Sequence, residues 1–252
     1  MKIEELRAYW KSEEEMAVMN GWDFSHIEER YSMGELPWDM AEMIHRYMKD
    51  TDRLLDIDTG GGEFLLSLGH SPSLTSASEG WKPNVELCQE KLGGMGIDFH
   101  EMTDYSAMPF ADEQFDIVTD RHGSYDADEI FRVLKHGGVF ITQQVGEQND
   151  RELVDMLLPD AKMQYSGNNL AVQSELFRNA GFEIVEQNEV FRPVKFFDTG
   201  ALVWFAKIIE WEFIDFSVSK CFDRLLEAER IIHEKGSVDG RIHRFCFVAM
   251  KP

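Results

Sequence analysis

The sequence of 252 residues is short of basic residues and of cysteines, and each shortage excludes a class of function. Lys and Arg total 25 against 47 Asp and Glu, which gives a formal net charge of −22. Because proteins that bind nucleic acids neutralise phosphates with clustered Lys and Arg, DNA, RNA and anionic membrane surfaces are unfavourable partners. The three cysteines, Cys88, Cys221 and Cys246, show no paired spacing. They indicate thiols in a reducing cytosol, and neither a zinc site nor a disulfide framework.

Long apolar segments are also missing. No run approaches the ~18 apolar residues that a membrane helix needs. The charged start, Met1 to Glu5, contains no apolar stretch of the kind found in signal peptides. We therefore expect a soluble, cytoplasmic protein with a small-molecule substrate, either a monomer or a homodimer. Its length suits one domain, or one domain with a cap.

A glycine-rich turn is the feature around which the rest of the sequence is organised. The apolar run 54–57 predicts a buried strand, the three glycines 60–62 a tight turn, and the apolar pattern 64–68 the start of a helix. Glycine tolerates positive φ and lets a ligand lie directly against the main chain. In an open α/β sheet such a turn follows the first strand, where nucleotide-like ligands bind. We predict a site for a cofactor that contains a ribose.

The spacing of these glycines argues against two common phosphate sites. A dinucleotide site requires G-x-G-x-x-G, and the third glycine is absent whether the count begins at Gly60 or at Gly62. The Gly-Lys-Ser/Thr ending of a phosphate loop is absent too. Neither a pyrophosphate nor a triphosphate ligand is favoured.

Five landmarks follow one another between Leu54 and Val145. The turn Asp56-Ile57-Asp58-Thr59-Gly60-Gly61-Gly62 is followed by Glu79 at the end of a second predicted strand. Then come Asp104-Tyr105-Ser106-Ala107-Met108-Pro109-Phe110, the predicted strand 115–120, and Arg132-Val133-Leu134-Lys135-His136-Gly137-Gly138. In this order they resemble the motifs of class I S-adenosylmethionine-dependent methyltransferases, acid-x-Gly-x-Gly-x-Gly, a ribose-binding acid, D-x-x-x-L-P-F and R-V-L-K-P-G-G.

The resemblance implies a fold, a cofactor and a set of binding residues. The fold is α/β, a Rossmann-like sheet of seven mostly parallel strands with helices on both faces and an antiparallel last strand between strands five and six. The cofactor is S-adenosylmethionine; Glu79 would accept hydrogen bonds from the ribose hydroxyls and Asp104 would contact the adenine amino group. No metal is implied. The cofactor-binding residues so predicted are Asp56, Asp58, Gly60, Gly61, Gly62, Glu79, Gly80, Asp104, Tyr105 and Arg121.

Asp58 departs from the family pattern, because it replaces the first glycine of the motif. Aspartate tolerates a left-handed backbone, so the turn can form. Its carboxylate would lie beside a cofactor that carries a sulfonium and an ammonium group. Two interpretations stay open here: the carboxylate helps to hold the cofactor, or it marks a degraded site.

Three regions follow from the predicted elements. Residues 1–50 are predicted to form an N-terminal helical segment, with helices over 2–20 and 37–48. The cofactor-binding core is predicted to consist of residues 51–191 and 242–252. Between its two parts, residues 192–241 are predicted to form a helical insertion. The insertion is interpreted as a cap over a substrate pocket, as additional core or as a dimerisation face. The aromatic residues Trp22, Tyr31 and Trp38 either cover the site or pack the N-terminal helices onto the core.

The loop after the predicted fourth strand supplies the candidates for catalysis. Methyl transfer from a sulfonium needs mainly proximity and alignment, and a base only where the nucleophile must be deprotonated. His122 is our candidate general base, because an unperturbed histidine titrates near neutrality; alternatively it only hydrogen-bonds the loop. Arg121 would pair with an anionic group of a ligand, or with Asp116 or Asp120.

The sequence as a whole predicts an S-adenosylmethionine-dependent methyltransferase that acts on a small molecule by direct displacement. The absence of an N/D-P-P-Y motif argues against methylation of exocyclic base amines. The alternatives are a non-catalytic binder of the same cofactor, an RNA methyltransferase, which the charge disfavours, and a nucleotide-dependent oxidoreductase, which the glycine spacing disfavours.

Overall fold

A computed structural model describes residues 2–18 and 24–252, so Trp22 lies outside the described residues. The described residues form helices and strands in the following order. The helices are α1 Ile3–Met16, α2 Met40–Tyr47, α3 Glu63–Ser67, α4 Lys82–Gly94, α5 Ala127–Val133, α6 Arg151–Leu157, α7 Leu170–Asn179, α8 Thr199–Ile208 and α9 Phe222–Lys235. The strands are β1 Tyr31–Met33, β2 Leu54–Ile57, β3 Thr75–Glu79, β4 Asp98–Glu101, β5 Phe115–Arg121, β6 Leu134–Val145, β7 Glu183–Phe196 and β8 Val238–Met250.

The strands form one sheet in the order β1-β7-β8-β6-β5-β2-β3-β4. β2 pairs in parallel with β3 and with β5, β3 with β4, and β5 with β6. β8 is antiparallel to β6 and lies between β6 and β7. The predicted Rossmann-like sheet with its antiparallel last strand is therefore confirmed.

The predicted number of strands was wrong by one. The described part of the chain contributes eight strands, and the additional one is β1, which pairs antiparallel with Val194–Phe196 of β7. A three-residue strand inside an otherwise helical segment has too few positions to show an alternating pattern. β1 forms because β7 extends to Phe196, beyond the predicted boundary of the core at residue 191.

Helix α2 begins later than the sequence predicted. The sequence predicts a helix over 37–48, but the helix begins at Met40. The reason is the N-cap: Asp39 Oδ1 accepts a hydrogen bond from the backbone N–H of Glu42 at 2.9 Å. A side-chain acceptor at this position satisfies one of the free N–H groups of the first turn.

The described chain divides into two compact units. The first consists of Met1–Leu36, Glu147–Ser166 and Val190–His243. Its core is built around α8, where nine of the ten residues are buried, together with Trp10 and Phe213, which are at most 1% exposed. Among the described residues no helix is both long and apolar enough to cross a bilayer. The division at residues 50, 191 and 241 drawn from the sequence stays a prediction.

The second unit, Pro37–Gly146, Gly167–Glu189 and Arg244–Pro252, has an apolar cluster on each face of the sheet. Neighbouring residues of β6 alternate between the two, with Phe140 in one cluster and Val139 and Ile141 in the other. This alternation is expected where successive side chains of a strand point to opposite faces. Strands buried on both faces fix the positions of their carboxyl ends, which carry the residues described in the next subsection.

A buried ionic network holds the N-terminal helix of the first unit. The guanidinium of Arg30 donates to Glu13 Oε1 and to both carboxylate oxygens of Asp198, each at 2.8 Å, and to the hydroxyl of Tyr9 at 2.6 Å. His26 Nε2 lies 2.7 Å from Glu13 Oε2. Burial alone would raise the pKa of Glu13, but the hydrogen bonds from Arg30 and His26 outweigh it and the pKa is lowered.

We expect Arg30→Ala to lower the free energy of unfolding by about 3 kcal/mol, because it leaves the carboxylate of Glu13 buried without its main partner. Urea unfolding followed by circular dichroism measures the change. Arg46→Ala is the control: it breaks an ion pair with Glu186 whose side chains are 52% and 37% exposed, and should cost less than about 1 kcal/mol. Equal losses in the two variants would contradict the importance of the buried network.

Candidate functional site

The glycine turn lies directly after β2 and leaves its main chain open at one point. Asp58, Gly60 and Gly62 all have positive φ, at 50°, 63° and 78°. A Cβ on Gly62 would lie 2.9 Å from Cδ2 of Leu92, whereas a Cβ on Gly60 would meet nothing within 4 Å. Gly62 is therefore required by packing as well as by its backbone. The open space is at Gly60, where a ligand can approach the backbone.

Helix α4 fixes the carbonyl groups of this turn. The thiol of Cys88 donates to the carbonyl oxygen of Gly60, and the ammonium of Lys91 donates to that of Gly61, both at 3.0 Å. Burial raises the pKa of Cys88 to about 11, so the thiol stays protonated and can act as a donor near neutral pH. The role of Cys88 is therefore to hold the turn.

Glu79 ends β3 with a buried carboxylate that is 5% exposed as a residue. Its Oε1 accepts hydrogen bonds from the backbone N–H groups of Gly80 and Trp81, both at 2.8 Å. Its Oε2 accepts from the side-chain amide of Asn84 at 3.2 Å. A carboxylate oxygen has two lone pairs, so Oε2 retains capacity for one further donor. Glu79 is thus turned towards the protein interior and held in one orientation.

Gly80 allows β3 and the end of β4 to approach each other. A Cβ at this position would lie 2.6 Å from the carbonyl oxygen of Met102. The backbone N–H of Met102 in turn donates to the carbonyl of Glu79 at 2.9 Å. Any larger residue at position 80 would disturb the loop that orients Glu79.

Asp58 is held by two neutral donors from two different loops. The hydroxyl of Tyr105 donates to Oδ1, and the backbone N–H of Ser124 donates to Oδ2 at 2.9 Å. Burial raises the pKa of Asp58, and the negative charge of Glu79 adds to this effect. Asp58 therefore joins the loop after β4 to the loop after β5.

Two further carboxyl groups are buried below the turn. Asp56 accepts a hydrogen bond from the hydroxyl of Thr119 at 2.6 Å, and burial raises its pKa to about 6. Asp120 is fully buried; Gln144 donates to its Oδ1, while its Oδ2 has no hydrogen-bond partner. Burial, and next to it the charge of Asp58, raise the pKa of Asp120 well above the usual range.

Gly123 makes the approach of these carboxyl groups possible. A Cβ at this position would lie 2.6 Å from Oδ2 of Asp58 and 2.7 Å from Oδ2 of Asp120. The two oxygens thus border the same small volume. Within residues 2–18 and 24–252, no group of three His, Cys, Asp or Glu side chains is arranged to hold a metal ion.

Asp104 and Arg121, also predicted from the sequence, lie at the surface of the second unit. Asp104 Oδ1 accepts hydrogen bonds from the backbone N–H and the hydroxyl of Ser106, which lower its pKa. The guanidinium of Arg121 lies 4.7 Å from the ring centroid of Phe64, just beyond the glycine turn. Asp116, one of the partners considered for Arg121, instead pairs with Lys135 at 2.7 Å.

His122 follows β5 in a left-handed conformation, with φ of 67°. Its backbone N–H donates to the carbonyl of Gln143 at 2.9 Å, and its Nε2 lies 3.1 Å from the side-chain nitrogen of Gln143. Desolvation of the ring by neighbouring protein atoms, and next to it the positive charges of Arg244 and Arg121, lower the pKa of His122 to about 3. The ring nevertheless borders solvent. At neutral pH the ring is uncharged, and its conjugate acid is too strong for an efficient general base.

Several residues of this site were not singled out from the sequence. Asn84 donates a hydrogen bond to Glu79, and Ser124 donates one to Asp58. Gly123 leaves space for the carboxyl groups of Asp58 and Asp120. Their positions offered a weak signal, since Asn84 lies in the first turn of the helix after Glu79 and Gly123 lies in the loop after β5. Trp38 donates its indole N–H to Oε1 of Gln143 at 2.8 Å, a contact across 105 positions that no local pattern indicates.

The residues at the turn suit the cofactor that the resemblance implies. The main chain at Gly60 is open, a buried carboxylate with free accepting capacity stands at the end of the next strand, and several carboxyl groups surround the turn. A ligand with a sugar diol and a positive charge would satisfy these groups.

Comparison with known families gives a match for this part of the chain. Residues 55–142, about a third of the sequence, match a family model described as a methyltransferase domain. No curated protein sequence matches the chain.

Solved structures with a similar fold are numerous. The protein BH2331 of Bacillus halodurans C-125 is similar over 85% of this chain and 99% of its own, with 17% identity and a TM-score of 0.58. YcgJ of Bacillus subtilis is similar over 84% and 97%, with 16% identity and a TM-score of 0.55. The cyclase SpnF is similar over 84% and 80%, with 20% identity and a TM-score of 0.51. At such identities the likeness establishes the fold alone.

The raised pKa of Asp56 makes the stability of the protein depend on pH. Its folded-state pKa of about 6 lies above the ordinary value for aspartate, so the folded state keeps a proton that the unfolded state has already lost. Stability therefore falls as pH rises from about 4 to about 6. Asp56→Asn removes this titration while keeping an oxygen for Thr119.

For each pH we take the free energy of unfolding of Asp56→Asn minus that of the wild type. We expect this difference to be about 1 kcal/mol more positive at pH ~8 than at pH ~5. Urea unfolding at the two pH values measures this difference. Asp104→Asn is the control and should show no such gain, because the hydrogen bonds from Ser106 lower the pKa of Asp104. A gain for Asp56→Asn that is equal at both pH values would contradict the assignment.

Proposed function

We propose that the protein binds S-adenosylmethionine at its glycine turn and methylates a small molecule, a proposal supported by the match of residues 55–142 to a methyltransferase domain. The observation that carries the proposal is the orientation of Glu79. Its carboxylate is held by Gly80 and Trp81 at the end of β3, the strand paired with β2, and the turn after β2 leaves its main chain open at Gly60. A vicinal diol can donate to the accepting capacity that remains on Oε2.

The electrostatics of the turn support a positively charged ligand. Asp58 and Glu79 are held largely by neutral donors, namely a phenol, backbone N–H groups and an amide. These donors stabilise the carboxylates without cancelling their charge. Opposite charges attract strongly in a partly buried site, where the effective dielectric constant is well below that of water. A sulfonium or ammonium group placed near Asp58 would gain this attraction.

The residues of the chain then have binding and aligning roles. When bound, S-adenosylmethionine supplies a methyl group on a positively charged sulfur, which needs alignment with a nucleophile and no further activation. Glu79 would fix the ribose, Asp104 and Tyr105 would lie at the adenine end, and the Gly60–Gly62 backbone would carry the amino-acid portion. Arg121 and His122 would border the acceptor.

A small-molecule acceptor is supported by the charge of the protein. A net charge of −22 repels the phosphate backbone of RNA or DNA, whose binding depends on Lys and Arg. The low pKa of His122 adds a restriction: the acceptor should carry a nucleophile that is already unprotonated near neutral pH, since a strong base is absent from this position.

The second candidate function is a non-catalytic binder of the same cofactor. The observation that favours it is the bridge from Asp58 to Tyr105 and Ser124, which ties two loops across the turn at a position where the family motif has glycine. Formation of S-adenosylhomocysteine in a screen of candidate acceptors separates the two functions, because only the enzyme produces it.

We expect Glu79→Gln to weaken the binding of S-adenosylhomocysteine about tenfold, because the amide nitrogen of glutamine only donates and cannot accept a hydrogen bond from the ribose in place of Oε2. Isothermal titration calorimetry measures the dissociation constant. The control is Glu101→Gln, since Glu101 pairs with Glu79 in register at the end of the adjacent strand but is exposed. An unchanged affinity in Glu79→Gln would refute the ribose assignment, and no binding by the wild type would refute the proposed cofactor.

We expect Asp58→Asn to reduce the preference for S-adenosylmethionine over S-adenosylhomocysteine about tenfold, because the two ligands differ in the positive charge on sulfur and the substitution removes the opposing charge. Calorimetric titration of both ligands into wild type and variant gives the two ratios. If the ratio is the same in both proteins, Asp58 does not sense the sulfonium.

A further inference from the structure

The loop after β5 holds a chain of three side chains whose hydrogen bonds can be satisfied in only one arrangement. Trp38, Gln143 and His122 are joined by contacts of 2.8 Å, from the indole nitrogen to Oε1 of Gln143, and 3.1 Å, from the amide nitrogen to Nε2 of His122. All three belong to the second unit. The amide of Gln143 lies between them and is 6% exposed as a residue.

The orientation of the Gln143 amide follows from the chemistry of tryptophan. An indole N–H is only a donor, so the atom facing Trp38 must be the amide oxygen. The NH₂ group of Gln143 then faces His122 and can only donate. Nε2 of His122 must therefore accept, and in a neutral imidazole the proton must then be on Nδ1.

A protonated ring would break this chain. An imidazolium is a donor at both nitrogens, so the NH₂ group of Gln143 and the Nε2–H of His122 would face each other as two donors. Two positive charges also act on His122, Arg121 at the end of β5 and Arg244 on β8. Hydrogen bonding and electrostatics thus both oppose protonation.

The backbone keeps the ring in this position. β5 and β6 pair up to Arg121 and Gln143, and the backbone N–H of His122 continues the ladder by donating to the carbonyl of Gln143 at 2.9 Å. His122 is thereby fixed to the residue that also orients its ring. A partly exposed ring whose Nε2 is occupied presents Nδ1–H as its remaining polar group.

We infer that Trp38 and Gln143 are positioning residues that hold His122 as the neutral Nδ1–H tautomer, a hydrogen-bond donor to a carboxylate of a bound ligand. The local charge suits this ligand group, because Arg121 and Arg244 place positive charge around His122 in a strongly acidic protein. The assignment of the tautomer does not depend on the proposed function. The identity of the ligand does rest on the proposed function.

The tautomer is tested by NMR on the full-length protein labelled with ¹⁵N-histidine. Long-range ¹H–¹⁵N correlations distinguish the two neutral tautomers and the imidazolium, and the signal lost in His122→Asn assigns His122. We expect the Nδ1–H pattern, unchanged from pH ~5 to pH ~8. An Nε2–H pattern, or titration within this range, would overturn the inference without any ligand being present.

The role of Trp38 is tested by Trp38→Phe, which removes the indole N–H but keeps an aromatic ring. The Gln143 amide is then free to rotate, so we expect the His122 signal to show both tautomers or to begin to titrate. Tyr47→Phe is the control, because it also removes a polar group from an aromatic residue of the same unit, one whose hydroxyl contacts Glu186 at 3.4 Å. An unchanged His122 signal in Trp38→Phe would remove Trp38 from the chain.

The ligand carboxylate belongs either to the cofactor or to the acceptor, and two probes distinguish these sources. S-adenosylhomocysteine has the amino-acid carboxylate and 5′-methylthioadenosine lacks it. If the cofactor supplies the carboxylate, His122→Ala weakens the binding of S-adenosylhomocysteine about tenfold and leaves the binding of 5′-methylthioadenosine unchanged. If the acceptor supplies it, both affinities are retained and methyl transfer requires a carboxylate-bearing acceptor. Equal weakening of both probes would overturn the donor role, and failure of both to bind wild type would refute only the proposed function.

Discussion

The crowding of four carboxyl groups at one edge of a parallel sheet is the constraint on which the second unit depends. Because parallel strands end at the same edge, Asp56, Asp58, Glu79 and Asp120 lie together at the carboxyl ends of β2, β3 and β5, Asp58 being the first residue after β2. Each is held by hydrogen bonds from neutral groups, which belong to neighbouring strands for Asp56 and Asp120 and to loop or helix-start residues for Asp58 and Glu79. The loops are therefore ordered by the need to stabilise negative charge away from water. Position 123 must be glycine in this arrangement, because a Cβ there would collide with the carboxyl groups of Asp58 and Asp120.

This arrangement couples charge to ligand binding. Burial raises the pKa values of Asp56, Asp58 and Asp120, so burial disfavours the ionised forms of these three carboxyl groups. An opposite charge within a few ångströms favours the ionised form of a carboxyl group. A cationic ligand at the turn would therefore lower the pKa values of these groups as it binds.

Much of this arrangement could be predicted from the sequence, because it depends on local patterns. The strand, turn and helix around Gly60–Gly62 follow from apolar periodicity and glycines, whereas the selection of Glu79 and the place of the last strand follow from the resemblance of the motifs to a known family. Strand β1 could not be predicted, since three residues carry no period and its partner is distant in the chain. The contact of Trp38 with Gln143 could not be predicted either. Side-chain hydrogen bonds between distant positions depend on the packed fold, and so the pKa of His122 could not be inferred from its ordinary value.

The fold by itself does not determine the chemistry at this edge of the sheet. The cyclase SpnF shares the fold at 20% identity, so chemistry must be argued from the groups that the loops present. Here these groups have opposite charge on two sides of the turn. Asp58 follows β2 and Glu79 ends β3, whereas Arg121 ends β5 and Arg244 on β8 pairs in register with Val145 at the end of β6. A ligand with a positive and a negative group would be oriented by this field, with its cation towards the carboxylates and its anion towards the guanidinium groups and the Nδ1–H of His122. The donor at His122 completes the positive side without adding a charge that would weaken the attraction of the negative side.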